Sequence, residues 1–138
     1  MSQENLEIVR AVYEALVRRD VSEILALYDP EIEFHFSRGT ILDRIGGQQV
    51  YRGHVGLREF DSELRDAFTN FETQCEELID AGERIVSMSR YRGQGRGSGV
   101  EVAGPVQFGV WTIQGRLITR VEWFSTREEA LQAAGAEE

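Results

Sequence analysis

The sequence is poor in cysteine, histidine and proline, with one, two and two among 138 residues. A single thiol excludes an internal disulfide framework, and with only two histidines the usual closed zinc sites cannot be assembled, so no metal is expected. Apolar runs are only a few residues long, which excludes a membrane-spanning helix. Basic residues are also few. Fifteen face 24 acidic ones, for a net charge of −9 and a pI near 4.8. Phosphate backbones and anionic membranes attract net positive surfaces, so neither is an expected partner. The opening Met1-Ser2-Gln3-Glu4-Asn5 is polar and acidic and does not read as a signal peptide, which makes the cytoplasm the expected location. With 41% apolar and 28% charged residues, the composition is that of a soluble globular protein. Residues 1–138 read as one domain, without a linker or an internal repeat.

Apolar periodicity supplies the elements. Leu6, Val9, Val12, Tyr13, Leu16 and Val17 form one stripe of a helix over about 5–19. Asp20, with Glu23 three residues on, opens a second helix as a capping box; Asp29-Pro30 closes it. Residues 31–36 alternate, with Ile32, Phe34 and Phe36 on one side and Glu31, Glu33 and His35 on the other. That is a half-buried strand. Residues 37–49 read as a long loop. Leu57, Phe60, Leu64, Ala67 and Phe68 mark the core face of a third helix. Strands are predicted over 71–79, 84–92, 100–113 and 116–124, joined by short turns that imply antiparallel neighbours. Thr126 with Glu129 starts a short last helix, and Gly135 ends it. Helices followed by a meander give an α+β pattern.

Several segments resemble the nuclear transport factor 2-like superfamily, and within it the SnoaL-like branch. They are Val12-Tyr13-Glu14-Ala15-Leu16 with Asp20, residues 27–35 (LYDPEIEFH), residues 51–56 (YRGHVG), residues 115–122 (GRLITRVE) and residues 125–131 (STREEAL). The resemblance covers nearly the whole chain. It implies a cone: a curved antiparallel sheet wrapped on three N-terminal helices, a short C-terminal helix, and a pocket between sheet and helices. It also implies a homodimer through the convex sheet face. Activities within the superfamily range from isomerases, cyclases, hydrolases and dehydratases to non-enzymatic binders, so the fold leaves the function open.

Ketosteroid isomerase, a worked case of carboxylate base and oxyanion donors, is the informative relative. By the resemblance, its base position falls on Phe36, which cannot move a proton. Its second oxyanion donor falls on Gln107, which still donates a hydrogen bond. Its donor tyrosine falls on Val12, one step and about 100° of helix from Tyr13. The isomerase machinery is therefore largely missing. The resemblance also turns Ile118, Arg120, Glu122 and Phe124 into the cone, beside Gln107, Gly109 and Trp111. Glu122 is then an acid/base or ligand anchor and Arg120 its partner. The apolar character of Val121 and Trp123 points the other way, with Arg120 and Glu122 in solvent. His35 is either a general base, being the side chain that titrates near neutrality unaided, or an exposed or dimer-facing histidine.

Tyr13, Phe36, Tyr51, Arg90, Gln107, Trp111 and Arg120 complete the candidate ligand-binding set. For Tyr51 the alternative is an aromatic anchor for the loop; for Arg90 it is a solvent-facing strand end. Cys75 reads as a packing residue, and the glycine-rich 93–99 as a hairpin loop rather than a phosphate loop. Two functions compete. One is a cofactor-independent isomerase- or cyclase-type enzyme acting on a small hydrophobic substrate, with Glu122 or His35 moving protons. The other is a non-catalytic small-ligand-binding or dimeric accessory protein.

Overall fold

The computed structural model describes residues 2–135. Helix α1 (Ser2–Arg18) is followed by α2 (Val21–Leu27). The chain turns between them at Arg19, whose φ is +58°. Asp20 caps α2 by accepting from the Glu23 amide at 3.1 Å. Helix α2 stops at Leu27, short of Asp29-Pro30. Pro30 holds Asp29 extended, and Tyr28 already belongs to the sheet, where its partner is Ile118. Strand β1 is thus Tyr28–Phe36.

The 37–49 segment contains one helical turn, α3 (Leu42–Ile45), and leads to β2 (Val50–Arg52), which pairs with β1. Helix α4 (Gly53–Ala67) follows, then β3 (Phe68–Asp80) and β4 (Arg84–Gly95). The single strand expected over 100–113 is two strands, β5 (Glu101–Ala103) and β6 (Gln107–Gln114). Pro105 has no amide hydrogen for a ladder. Gly104 presses on the Tyr91 ring so closely that an added Cβ would lie 2.1 Å from Tyr91 Cζ. Strand β7 (Leu117–Phe124) and helix α5 (Arg127–Ala134) complete the chain. Thr126 caps α5 through the Glu129 amide at 3.2 Å, and Gly135 ends it in the left-handed region at φ +76°.

The strands form one sheet in the order β2-β1-β7-β6-β4-β3, with β5 beside β4. All neighbours are antiparallel except β1 and β7, which run parallel. A parallel neighbour requires a long crossover, and the whole chain between β1 and β7 provides it. The sheet curls as a cone over α1, α2 and α4. Its inner face carries the main core, including Val9, Val12, Ile32, Ile85, Trp111 and Val121. A second apolar cluster lies on the outer face, where Ala130, Leu131 and Ala134 of α5 cover Val86, Phe108 and Val110. Each large apolar side chain buried in this way contributes about 1.5–3 kcal/mol.

One irregularity decides the candidate site. Thr112 pairs with Arg120, but the next residue, Ile113, pairs with Ile118. Strand β7 therefore carries one extra residue, Thr119, as a bulge. The bulge inverts the alternation, so Ile118 and Val121 are both fully buried. Arg120 and Glu122 emerge on the outer face, contrary to the set that the resemblance turned inward.

Candidate functional site

A cavity of about 180 Å³ opens between the sheet and the helices. Its walls come from α1 and α2 (Tyr13, Leu16, Ile24, Leu25), β1 (Tyr28, Phe34, Phe36), α4 (Leu57, Phe60, Leu64) and the inner faces of β3, β4, β6 and β7. Nine of the thirteen aromatic residues of the sequence line it. Their local patterns explain the convergence. Alternation in β1 turns Phe34 and Phe36 inward, and helical spacing brings Phe60 onto them, with ring centroids 6.4 and 4.9 Å away. Trp111 meets Trp123 edge-on at 5.8 Å across β6 and β7, and Tyr13 at 5.7 Å.

Polar groups form a small cluster on the sheet side. Tyr13 Oη donates to Ser87 Oγ at 2.9 Å, and Trp111 Nε1 donates to the same oxygen at 2.8 Å. Gly109 makes room for this arrangement. A Cβ there would lie 2.9 Å from each of Ser87 Oγ, Trp111 Nε1 and Trp123 Cζ3. One step along the sheet, Ser89 pairs in register with Gln107, and both are buried cavity-lining residues. Gln107 Oε1 accepts the Ile41 amide at 2.6 Å. A backbone N–H only donates, so this contact fixes which end of the amide is oxygen. Tyr91 Oη accepts from Arg44 Nε at 2.9 Å. Burial pushes the Tyr13 and Tyr28 phenols well above their ordinary value, so Tyr13 meets the cavity as a neutral hydroxyl.

Charge is scarce in the lining, where among the described residues Arg58 and Asp61 of α4 are the charged ones. Asp61 pairs with Arg65 at 3.0 Å. Among the described residues no cluster of three His, Cys, Asp or Glu is placed to hold a metal ion.

Of the candidates read from the sequence, Tyr13, Phe36, Gln107 and Trp111 meet at this cavity. Tyr51 is buried just behind the wall, edge-on to Phe36 and Phe60. Its hydroxyl accepts the Gln48 amide at 2.9 Å and donates to Glu63. Burial, then Glu63, pushes the Tyr51 phenol up to about 12. It anchors the segment before β2 rather than facing a ligand. Arg90, Arg120, Glu122 and His35 lie on the other face of the sheet. Arg90 pairs with Glu76 at 3.0 Å. His35 Nε2 lies 2.9 Å from Glu33 Oε1. Arg120 reaches Glu33 at 3.6 Å and Glu122 at 3.5 Å, and Arg52 also pairs with Glu33. The His35 hydrogen bond first, then Arg52 and Arg120, hold the Glu33 carboxyl below its ordinary range. The proposed proton movers are thus members of a charged ladder outside the cone.

Phe60, Phe71, Ser87, Ser89, Tyr91 and Trp123 are not among the site candidates read from the sequence. Period-2 counting along β4 carries the signal for three of them: Ile85, Ser87, Ser89 and Tyr91 share one face. Cys75, which was expected to pack, is half-buried against the main core. Burial raises its thiol pKa, which disfavours the thiolate.

A curled sheet over helices, enclosing an aromatic cavity, defines a cone of the nuclear transport factor 2 type. The SnoaL-like domain model matches residues 9–121, and the chain belongs to that family. Solved structures share the fold over nearly full length. A protein of unknown function from Burkholderia pseudomallei, of the same nuclear transport factor 2-like kind, is 23% identical with a TM-score of 0.77, over 96% of this chain and 98% of that one. TerC, co-crystallised with polyporic acid, is 21% identical with a TM-score of 0.76, over 96% and 99%. A putative SnoaL-like polyketide cyclase from Jannaschia sp. CCS1 is 18% identical with a TM-score of 0.72, over 96% and 91%. At these identities the likeness is one of fold. No curated protein matches the sequence. No helix among the described residues is long and apolar enough to cross a membrane.

Proposed function

We propose that this chain binds a small, flat, mainly apolar organic molecule in the cone. The carrying observation is the lining itself, with nine aromatic side chains around one cavity and a few convergent polar groups. That combination is the ordinary make-up of a small-molecule site. Tyr13, Phe36, Gln107 and Trp111 are the ligand contacts anticipated from the sequence; Phe60, Ser89, Tyr91 and Trp123 join them. A fold neighbour crystallised with polyporic acid supports a small-molecule reading. Binding is favoured over proton transfer because Glu122 and His35 stand on the opposite face of the sheet. Among the described residues the carboxylate in the lining is Asp61, and it is tied to Arg65. The homodimer belongs to the same reading, with the outer face of β1 and β7 as its surface, in a cytoplasmic protein.

The test is binding of anilinonaphthalene sulfonate, followed by its own fluorescence and by quenching of Trp111 and Trp123. Saturable binding is expected. Leu25→Trp, which fills the cavity from α2, is expected to abolish it while leaving the far-ultraviolet circular dichroism unchanged. Binding that survives in a folded Leu25→Trp variant rules out this cavity as the site.

A further inference from the structure

Helix α3 and the residue before it touch the cavity wall at two polar points, and both contacts use up acceptors. Ile41 N–H occupies Gln107 Oε1, and Arg44 Nε–H occupies Tyr91 Oη. What remains on these two side chains is donor capacity. Among the described residues, nothing accepts from Gln107 Nε2 or from the Tyr91 hydroxyl. No buried side-chain nitrogen or oxygen among them lacks a partner. Gln107 Nε2 therefore faces open space, and the open space at Gln107 is the cavity. The Tyr91 ring is fixed by stacking on Phe71, with centroids 5.8 Å apart, and by Gly104 on one face. A phenol oxygen that already accepts a guanidinium hydrogen is poorly placed to accept a second, so its own hydrogen is what it offers.

We infer that the Arg44–Tyr91 pair sets the ligand chemistry at this end of the cavity. Tyr91 is a hydrogen-bond donor to the ligand, and Arg44 is the positioning residue that keeps it one. The ligand group that fits is an acceptor oxygen, as in an aromatic ketone or quinone; an aromatic amine or a bare hydrocarbon is disfavoured. This inference rests on the proposed binding function and names the class of molecule bound.

The experiment compares fluorenone, fluorene and aminofluorene, three ring systems of one shape, by quenching of the two tryptophans. Wild-type protein is expected to prefer fluorenone over fluorene by about tenfold, the value of one or two neutral hydrogen bonds. Tyr91→Phe keeps the ring and its stacking. It is expected to cut that ratio about fivefold by weakening fluorenone more than fluorene. Arg44→Met frees the phenol oxygen to accept. Aminofluorene should then gain on fluorenone. A purely structural role for either residue would weaken all three probes together and would overturn the inference. Equal binding of fluorenone and fluorene by wild-type protein overturns it too, while the binding function stands. Failure of all three probes to bind overturns both.

Discussion

Ser87→Ala removes a single oxygen atom that accepts two hydrogen bonds. Ser87 is fully buried on the inner face of β4, with Trp111 Nε1 at 2.8 Å and Tyr13 Oη at 2.9 Å. The two donors fare differently after the change. The Tyr13 hydroxyl is also within reach of Ser89 and can rotate to it. The indole N–H is fixed by its ring and has no other acceptor among the described residues. A buried donor left without a partner costs about 1–3 kcal/mol, so the expected loss is about 2 kcal/mol. For a domain of this size that lowers Tm by about 5–8 °C. Urea unfolding followed by tryptophan fluorescence reads the loss directly, with an unchanged m-value. Trp111→Phe, which has no N–H to orphan, supplies the control. In that background Ser87→Ala should cost about 1 kcal/mol less than in wild-type protein. A Ser87→Ala variant within about 0.5 kcal/mol of wild type, the usual scatter of surface substitutions, refutes the role given to this oxygen.

Two other predictions follow from geometry and charge. Gly109→Ala places a methyl 2.9 Å from Ser87 Oγ, Trp111 Nε1 and Trp123 Cζ3; strain of about 1–3 kcal/mol is expected, with weakened dye binding, as read by urea unfolding and fluorescence titration. Glu33 titrates below its ordinary 4.5 because of His35, Arg52 and Arg120. A carboxyl with a lowered folded pKa stabilises the protein above its unfolded value, and that contribution fades as pH falls through the folded one. The stability gap between wild type and Glu33→Gln should therefore be complete above about pH 5 and close below that; a gap constant across this window in urea titrations contradicts the assignment.

Much of the architecture is legible in the sequence because it is written in local rules. The Asp20 and Thr126 caps, the alternation of β1 and the Gly135 stop each depend on neighbouring residues alone. The placement of Glu122 fails for a physical reason. The resemblance turns Ile118, Arg120 and Glu122 inward together, whereas the apolar Val121 and Trp123 point the other way, and nothing local reveals that Thr119 bulges. Gly109 and Trp111 lie opposite Trp123 and Val121, so these four share a face and exclude Glu122 from it. Pro105, which has no amide hydrogen for a ladder, divides the strand expected over 100–113. Tyr91 was missed because its importance depends on Arg44, a residue of a loop whose position no pattern discloses.

The parallel pairing of β1 with β7 has a consequence for synthesis on the ribosome. Phe34 meets Val121, and Phe36 meets Trp123, only when the last strand arrives. Until then the aromatic side of β1 has helix α4 against it but no β7 edge to pair with, and β6 lacks its neighbour too. Contacts this distant in sequence close late and slow the folding of a domain. A nascent chain stalled before residue 117 thus carries two unpaired strand edges beside its most aromatic surface, the state in which chains of this kind meet chaperones or each other. The cavity is the last part of the molecule to acquire its floor.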